Sequence, residues 1–507
     1  MPELAAAISI ASDGVYMNLS ESDRIGIKII ESLYQSLNIG SDTFNEGRIS
    51  LKKVDRICKI LNDYKQIIRE YKVKKVRVVS TTALREATNM AFILDQIKSR
   101  TRFTVEVLDD PQEKSLIYKA MLLKLKNTDY KDKLLFLGYI GTGSLGMAIC
   151  KEQKIIYSQN IRIGSLKLTE LLRNYQGDPE NAHIVIGEYL SSFVKTIMTI
   201  PKINKVEHFI TCGQEIESII RLSGGNPKKE IEEIDINKIN QLFEEIKTDT
   251  IEQLGQKFDL PEHHLDVLLP SIGIYKMLFD IVNVNPINSV SVNLTDALLL
   301  EMFSYEEYRK ISEIFEESTV ISAKNLGKRF LYDEEHANQV EKLSLILFDG
   351  LKGKHRMGIR ERMLLQLSAI LHDIGKFIQL KNHSEHSANI IRGTELPGLT
   401  KRETNIVASV AEYHSKHFLL SEDVEMMKMD QKDRLIIAKL LALLRLADSL
   451  DRSHSSKVKD IRIQIKGRKL KLRITSSKKI MLEKWSIETK SEFFEDIFGL
   501  KPEIIKG

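Results

Sequence analysis

The stretch "KLLFLGYIGTGSLGMAIC", Lys133 to Cys150, decides how the first half of the chain is read. Two apolar runs flank Gly-Thr-Gly-Ser, and that order predicts strand, turn, strand. Glycines at 141 and 143 leave backbone amides bare, and Ser144 adds a hydroxyl. Such a turn suits an anion such as phosphate, although glycine also serves a hairpin simply by its shape. The same pattern stands at the start of the chain. "AAAISIASDGVYMNLS", Ala5 to Ser20, reads as a strand, a turn at Asp13-Gly14 and a second strand. One hairpin pattern therefore begins twice, near residue 5 and again near residue 130, which predicts two α/β lobes with a cleft between them.

Outward from these hairpins, strand and helix patterns alternate. "DRICKILNDYKQIIREY" and "ALREATNMAFILDQIKS" have helical spacing, "KKVRVVST" and "FTVEVLD" are short strands, and "PQEKSLIYKAMLLKL" opens a helix with Pro111 in its first turn. From about residue 310 every segment has helical period, among them "ERMLLQLSAILHDIGKF" and "DRLIIAKLLALLRLADSL". The tail "KVKDIRIQIKGRKLKLRITSS" alternates as strands, and "SEFFEDIFG" predicts a short closing helix. The expected organisation is α/β followed by all-α: lobe I over 1–122, lobe II over 123–308, a helical domain over 309–454 and a small α+β domain over 455–507.

Composition excludes several classes. With 42% hydrophobic and 29% charged residues, the 507-residue chain reads as an ordinary soluble protein of several domains. No apolar run approaches the ~20 residues a membrane span needs, and the N-terminus shows no signal-peptide pattern. Three scattered cysteines, Cys58, Cys150 and Cys212, make neither a disulfide framework nor a zinc ligand pair, which points to the cytoplasm. The net charge of +5 is mild. The basic patch "IKGRKLKLR" reads as a solvated strand face, so no nucleic-acid partner is expected.

The helical region carries a second chemical signal. His372 and Asp373 are adjacent in "LHDIGK", His336 precedes them, His383, His386 and His414 follow, and Asp448 closes the series in "LADSLD". Imidazoles and carboxylates suit divalent transition metals. Neighbouring residues of a regular helix do not share a face, so His372 and Asp373 can converge on one ion only where a helix is distorted or ends. Singly, each residue could be a surface histidine or a helix-end acid. Together, their order resembles the HD phosphohydrolase superfamily. The resemblance implies a metal site on His336, His372, Asp373 and Asp448, with His383, His386 and His414 serving a second ion or orienting phosphate.

A longer resemblance covers essentially the whole chain. "STTALREATN", Ser80 to Asn89, is similar to the "ATSALREAxN" motif of the exopolyphosphatase and guanosine-pentaphosphate phosphohydrolase family (Ppx/GppA). In order, "QEKSLIY" resembles "EEARLIY", "GTGS" falls on "DIGGGSTE", and "IRIGSLKLTE" resembles "LPLGAVRLTE". The family fold is two actin-like, ribonuclease H-like lobes, a helical domain of HD type and a small C-terminal domain. The resemblance makes Glu113 the catalytic base and Arg85, Gly141, Gly143 and Ser144 the phosphate-binding residues. It implies Mg or Mn in the lobes, polyphosphate or a phosphorylated guanosine nucleotide as ligand, and a homodimer.

The departures from that pattern are concentrated in the lobes. Tyr139 and Gly146 stand where "DIGGGSTE" has its aspartate and glutamate, and Ser9 stands where the first loop has its aspartate. The "GGT" turn is Gly213-Gln214-Glu215, and "LREG" is "LTDA". Hard cations need carboxylate oxygens, so the lobes have lost ligands while the helical set is complete. Three expectations follow: an exopolyphosphatase-like hydrolase, an HD-type hydrolase with the lobes as a ligand-sensing module, or a silent polyphosphate- or nucleotide-binding regulator.

Overall fold

The computed structural model describes residues 3–506 other than 23–26, 174–180, 248–250, 259–264, 266, 304–305, 416–423 and 477. It divides into two compact units, Met1–Ser318 and Thr319–Gly507.

The first unit is built on two sheets. The hairpin at Asp13-Gly14 joins β1 (Glu3–Ile10) to β2 (Gly14–Ser22), and β3 (Ile27–Ser36) adds antiparallel to β2. On the other side of β1, β4 (Lys75–Ser80) and β5 (Val105–Val107) add parallel, giving the order β3-β2-β1-β4-β5. The second sheet repeats the plan. β6 (Leu134–Ile140), β7 (Leu145–Lys151) and β8 (Lys154–Ile161) are antiparallel neighbours. β9 (His208–Cys212) and β11 (Ile287–Val290) add parallel beyond β6, and β10 (Ile231–Ile234) closes the edge antiparallel. The recurrence of an antiparallel triplet followed by parallel strands is the restart seen in the sequence. β1 and β6 are buried along most of their length because helices cover both faces, so they read as continuous apolar runs.

Helix α1 (Asp110–Leu125) begins where both lobes meet. Asp109 caps it, accepting from the Gln112 amide while the Gln112 side chain accepts from the Asp109 amide, and Pro111 sits in its first turn. That box fixes where Glu113 and Lys114 point, and both are buried.

The second unit is helical around one apolar core that includes Leu343, Leu367, Val407 and Leu443. Its tail holds β12 (Val458–Lys466) antiparallel to β13 (Lys469–Ser476). The helix after them, Met481–Phe498, is longer than "SEFFEDIFG" suggested, and β14 (Lys501–Lys506) returns parallel to β13. The exposed apolar side chains Met481, Leu482 and Trp485 break the amphipathic pattern over its first turns.

Candidate functional site

Helix α2 (Ile359–Leu371) ends at His372, which retains helical angles. Asp373 leaves them (φ −108°, ψ 3°), and a tight 3₁₀ turn runs on over Ile374–Phe377. The helix ends inside the HD pair, so the two side chains turn toward one point, with His372 Nε2 3.5 Å from Asp373 Oδ2. Gly375 lets the next helix, α3 (His383–Arg392), close on this turn. A Cβ at Gly375 would fall 2.1 Å from the His383 carbonyl oxygen. His383 is thereby brought 3.3 Å from Asp373 Oδ1, and His414, at the end of the helix Lys401–Tyr413, lies 3.6 Å from the same oxygen. His336 Nε2 is 3.6 Å from Asp448 Oδ1 and 3.8 Å from Asp373 Oδ2.

The outward-facing nitrogens define the tautomers. Nδ1 of His372, His414 and His383 meets the carbonyls of Ala369, Ala411 and Leu380 at 2.8, 2.7 and 3.0 Å. A carbonyl only accepts, so each Nδ1 carries the proton and each Nε2 keeps its lone pair. His336 Nδ1 meets Asp451 Oδ2 at 2.9 Å. His336 Nε2, His372 Nε2 and Asp373 Oδ1 are buried without any hydrogen-bond partner. Lone pairs that face carboxylate oxygens without protons between them fit a cation. Ligand atoms of His336, His372 and Asp448 lie within 4.8 Å of one another, as do those of His372, Asp373 and His414. Asp373 belongs to both sides, one oxygen toward His336 and His372, the other toward His383 and His414. The donor set therefore fits one or two divalent ions.

Electrostatics keep these groups in their ligating forms. Burial holds His372 neutral, its pKa down at about 4. Burial alone would raise Asp448, but Lys490, 3.2 Å away, and the nearby histidines bring it to about 2. The same balance, with His372, His414 and Lys376 outweighing burial, holds Asp373 well below the carboxylate range. Asp451, Lys490 and His454, whose ring stacks on His336 at 3.6 Å, escaped the sequence reading. Only Asp451 had a usable signal, three residues after Asp448. His386 is half-buried one turn beyond His383, and no hydrogen bond or ion pair joins it to this group among the described residues.

In the first unit, the residues picked from sequence gather at the start of α1. Arg85 donates to Asp110 Oδ1 (2.5 Å), Thr82 Oγ1 (3.1 Å) and the Leu108 carbonyl (2.6 Å). Ser144 Oγ donates to the same Asp110 oxygen at 3.3 Å. Gly143 packs on Thr82, where a Cβ would fall 2.3 Å from Cγ2. Gly141 adjoins Glu113, whose Oε1 accepts from the Tyr139 hydroxyl at 3.3 Å. The two hairpin turns face each other through Thr142 Oγ1 and Ser12 Oγ, 2.8 Å apart. Tyr139 and Gly146 are register partners across β6 and β7.

Comparison with known proteins matches this architecture. The Ppx/GppA phosphatase family model matches residues 19–306, and the model named Ppx/GppA phosphatase, domain III, matches 319–491. A guanosine-5'-triphosphate,3'-diphosphate pyrophosphatase from Vibrio vulnificus is 22% identical, over 93% of this chain and 92% of its own. Its namesake from Aeromonas hydrophila is 20% identical over 80% of each chain. An exopolyphosphatase structure from Cytophaga hutchinsonii superposes with a TM-score of 0.54 at 17% identity, covering 60% of this chain and 99% of that one. The Aquifex aeolicus family member gives 0.51 at 22% identity, covering 60% and 98%. The chain therefore belongs to the Ppx/GppA phosphatase family and is a phosphohydrolase, with two actin-like lobes followed by the family's domain III.

Proposed function

We propose that this phosphohydrolase activates water at the histidine-aspartate centre of its helical unit, and that its actin-like unit recognises the phosphorylated ligand. The observation that carries this reading is the trio of buried, unpartnered ligand atoms, His336 Nε2, His372 Nε2 and Asp373 Oδ1. His336, His372, Asp373 and Asp448 would hold one ion, and His383 and His414 with Asp373 a second. A divalent ion bound there supplies Lewis-acid activation of water and of a phosphoryl oxygen. The protein's part is to keep four imidazoles in one tautomer and to exclude bulk water. Lys490 and Lys376 neutralise the carboxylates and flank the centre with positive charge.

The substrate class is linear polyphosphate or a guanosine polyphosphate, supported by the names of the relatives. Three buried free cysteines support a reducing cytoplasm as the working compartment, and no described helix is long and apolar enough to cross a membrane. A homodimer and the absence of a nucleic-acid partner complete the reading.

The test is a panel of polyphosphate, guanosine penta- and tetraphosphate and nucleoside triphosphates, each with several divalent metals, alongside metal analysis after dialysis. Turnover with stoichiometric bound metal is expected. A folded, metal-replete preparation that retains no metal would end this proposal.

A further inference from the structure

Two buried atoms in the actin-like unit, Lys114 Nζ and Glu113 Oε2, have no hydrogen-bond partner. Lys114 is 5% exposed, a position where an uncompensated ammonium costs several kcal/mol. Its ion-pair partner, a Glu113 oxygen, lies 3.8 Å away, and the Tyr139 ring centroid is 4.2 Å from Nζ. Neither contact takes up one of its N–H bonds. The ammonium lies against the Gly141–Ser144 turn, 3.5 Å from where a Cβ of Gly141 would stand.

The space that a metal-holding acid would need is filled. A Cβ at Gly146 would fall 2.8 Å from Lys114 Cδ and 2.9 Å from Cε. The Lys114 side chain therefore occupies the space beside position 146, and an acid there would require it to move. Position 139, the other place for an acid, is a tyrosine whose hydroxyl burial drives far toward the protonated form. The nearby acids are Glu113, Asp110, Asp13 and Glu215. Arg85 and Ser144 engage Asp110, the Tyr16 and Ser165 hydroxyls engage Asp13 and Glu215, and the last two line a cavity of about 60 Å³ together with Thr142 of the turn. Among the described residues, the groupings of three or more ligands that fit a metal ion all lie in the helical unit. No such grouping lies at this turn among the described residues.

We propose that Lys114 is the resident cation of the actin-like unit: its ammonium, in place of a metal ion, receives phosphoryl oxygens brought to the Gly141–Ser144 turn. The three N–H bonds of an ammonium need acceptors, and phosphoryl oxygens supply them with complementary charge. Glu113 Oε2, an acceptor without a donor, takes a hydrogen bond from a water or from a protonated phosphate oxygen. The phosphoryl class rests on the phosphohydrolase reading, and the free absence of metal dependence rests on Lys114 alone. The terminal group of a polyphosphate and the phosphates of a guanosine nucleotide share this chemistry.

The test is isothermal titration of tripolyphosphate and of guanosine tetraphosphate into the full chain carrying Asp373→Ala, which silences the helical centre. In EDTA at least one probe binds, and adding magnesium changes Kd by less than about threefold. Tripolyphosphate binding alone assigns a polyphosphate end, and guanosine tetraphosphate binding alone assigns a nucleotide. Lys114→Met, at an unchanged melting temperature, weakens binding at least about tenfold. If that variant does not fold, the EDTA comparison decides by itself. Binding that requires magnesium, no binding in EDTA, or unaltered binding by a folded Lys114→Met protein would overturn the proposal. Failure of the helical centre to turn over substrate would leave this binding result standing.

Discussion

His336 is buried, yet only one of its ring nitrogens is spoken for. Asp451 takes Nδ1 at 2.9 Å, and Nε2 is left facing Asp448 and Asp373. A carboxylate on the far nitrogen of a ligating histidine fixes the tautomer and raises its basicity. Asp451→Asn keeps the shape and weakens that effect. It should lower metal affinity by roughly 10- to 100-fold, read by competition with a chromophoric chelator. Wild-type affinity in that variant would show that Asp451 only braces the loop through the Ser456 amide. Most of this centre was legible, because an HD doublet followed by spaced histidines and an aspartate is a rare order. Lys490 and His454 were not, since their approach depends on how distant elements fold back, and nothing near them in sequence marks it. His386 lies outside the ligand groupings of this centre among the described residues. It shares a helix with His383, but no hydrogen bond or ion pair joins it to the group among the described residues.

At the scale of elements, the decisive feature is the helix that stops at His372 and the 3₁₀ turn after it. Gly375 permits the next helix to pack onto that turn, its amide donating to Ser387 Oγ at 2.9 Å. A methyl group there meets backbone atoms of His383 and Ser387 at 2.1 and 2.3 Å, which no rotamer change relieves. Gly375→Ala should destabilise the helical unit by about 1–3 kcal/mol and displace His383, an overpacking effect. Thermal melts and metal content measure the two consequences, and a variant with normal values for both would refute this role. The repeated hairpins were readable because each is a pair of apolar runs around a turn. The closing strand Lys501–Lys506 was not, because "KPEIIK" is short and carries a proline, which demotes a strand reading. The length of the helix Met481–Phe498 was hidden by exposed apolar residues at its start.

Across the whole molecule, the pH dependence of stability follows from where acids are buried. Burial pushes Glu215 and Glu217 of the first unit up to about 7 from an ordinary 4.5. The folded state then holds protons that the unfolded chain releases near 4.5. Their contribution to stability is full below that pH, declines as pH rises toward about 7, and levels off above it. The double variant Glu215→Gln with Glu217→Gln should flatten this decline and gain about 1–3 kcal/mol at pH 8. Melts from pH 4 to pH 8 that show the same slope in both proteins would contradict the burial account. The larger question is which unit performs hydrolysis, since the actin-like unit holds buried Glu113 and the helical unit holds the histidine-aspartate group. The measurement that decides it is phosphate release by Asp373→Ala and by Glu113→Gln, side by side, with equal melting temperatures shown first. The account predicts that Asp373→Ala loses about a thousandfold or more in rate while Glu113→Gln keeps most of it. Turnover that survives Asp373→Ala and disappears with Glu113→Gln would contradict it and place the chemistry in the actin-like unit.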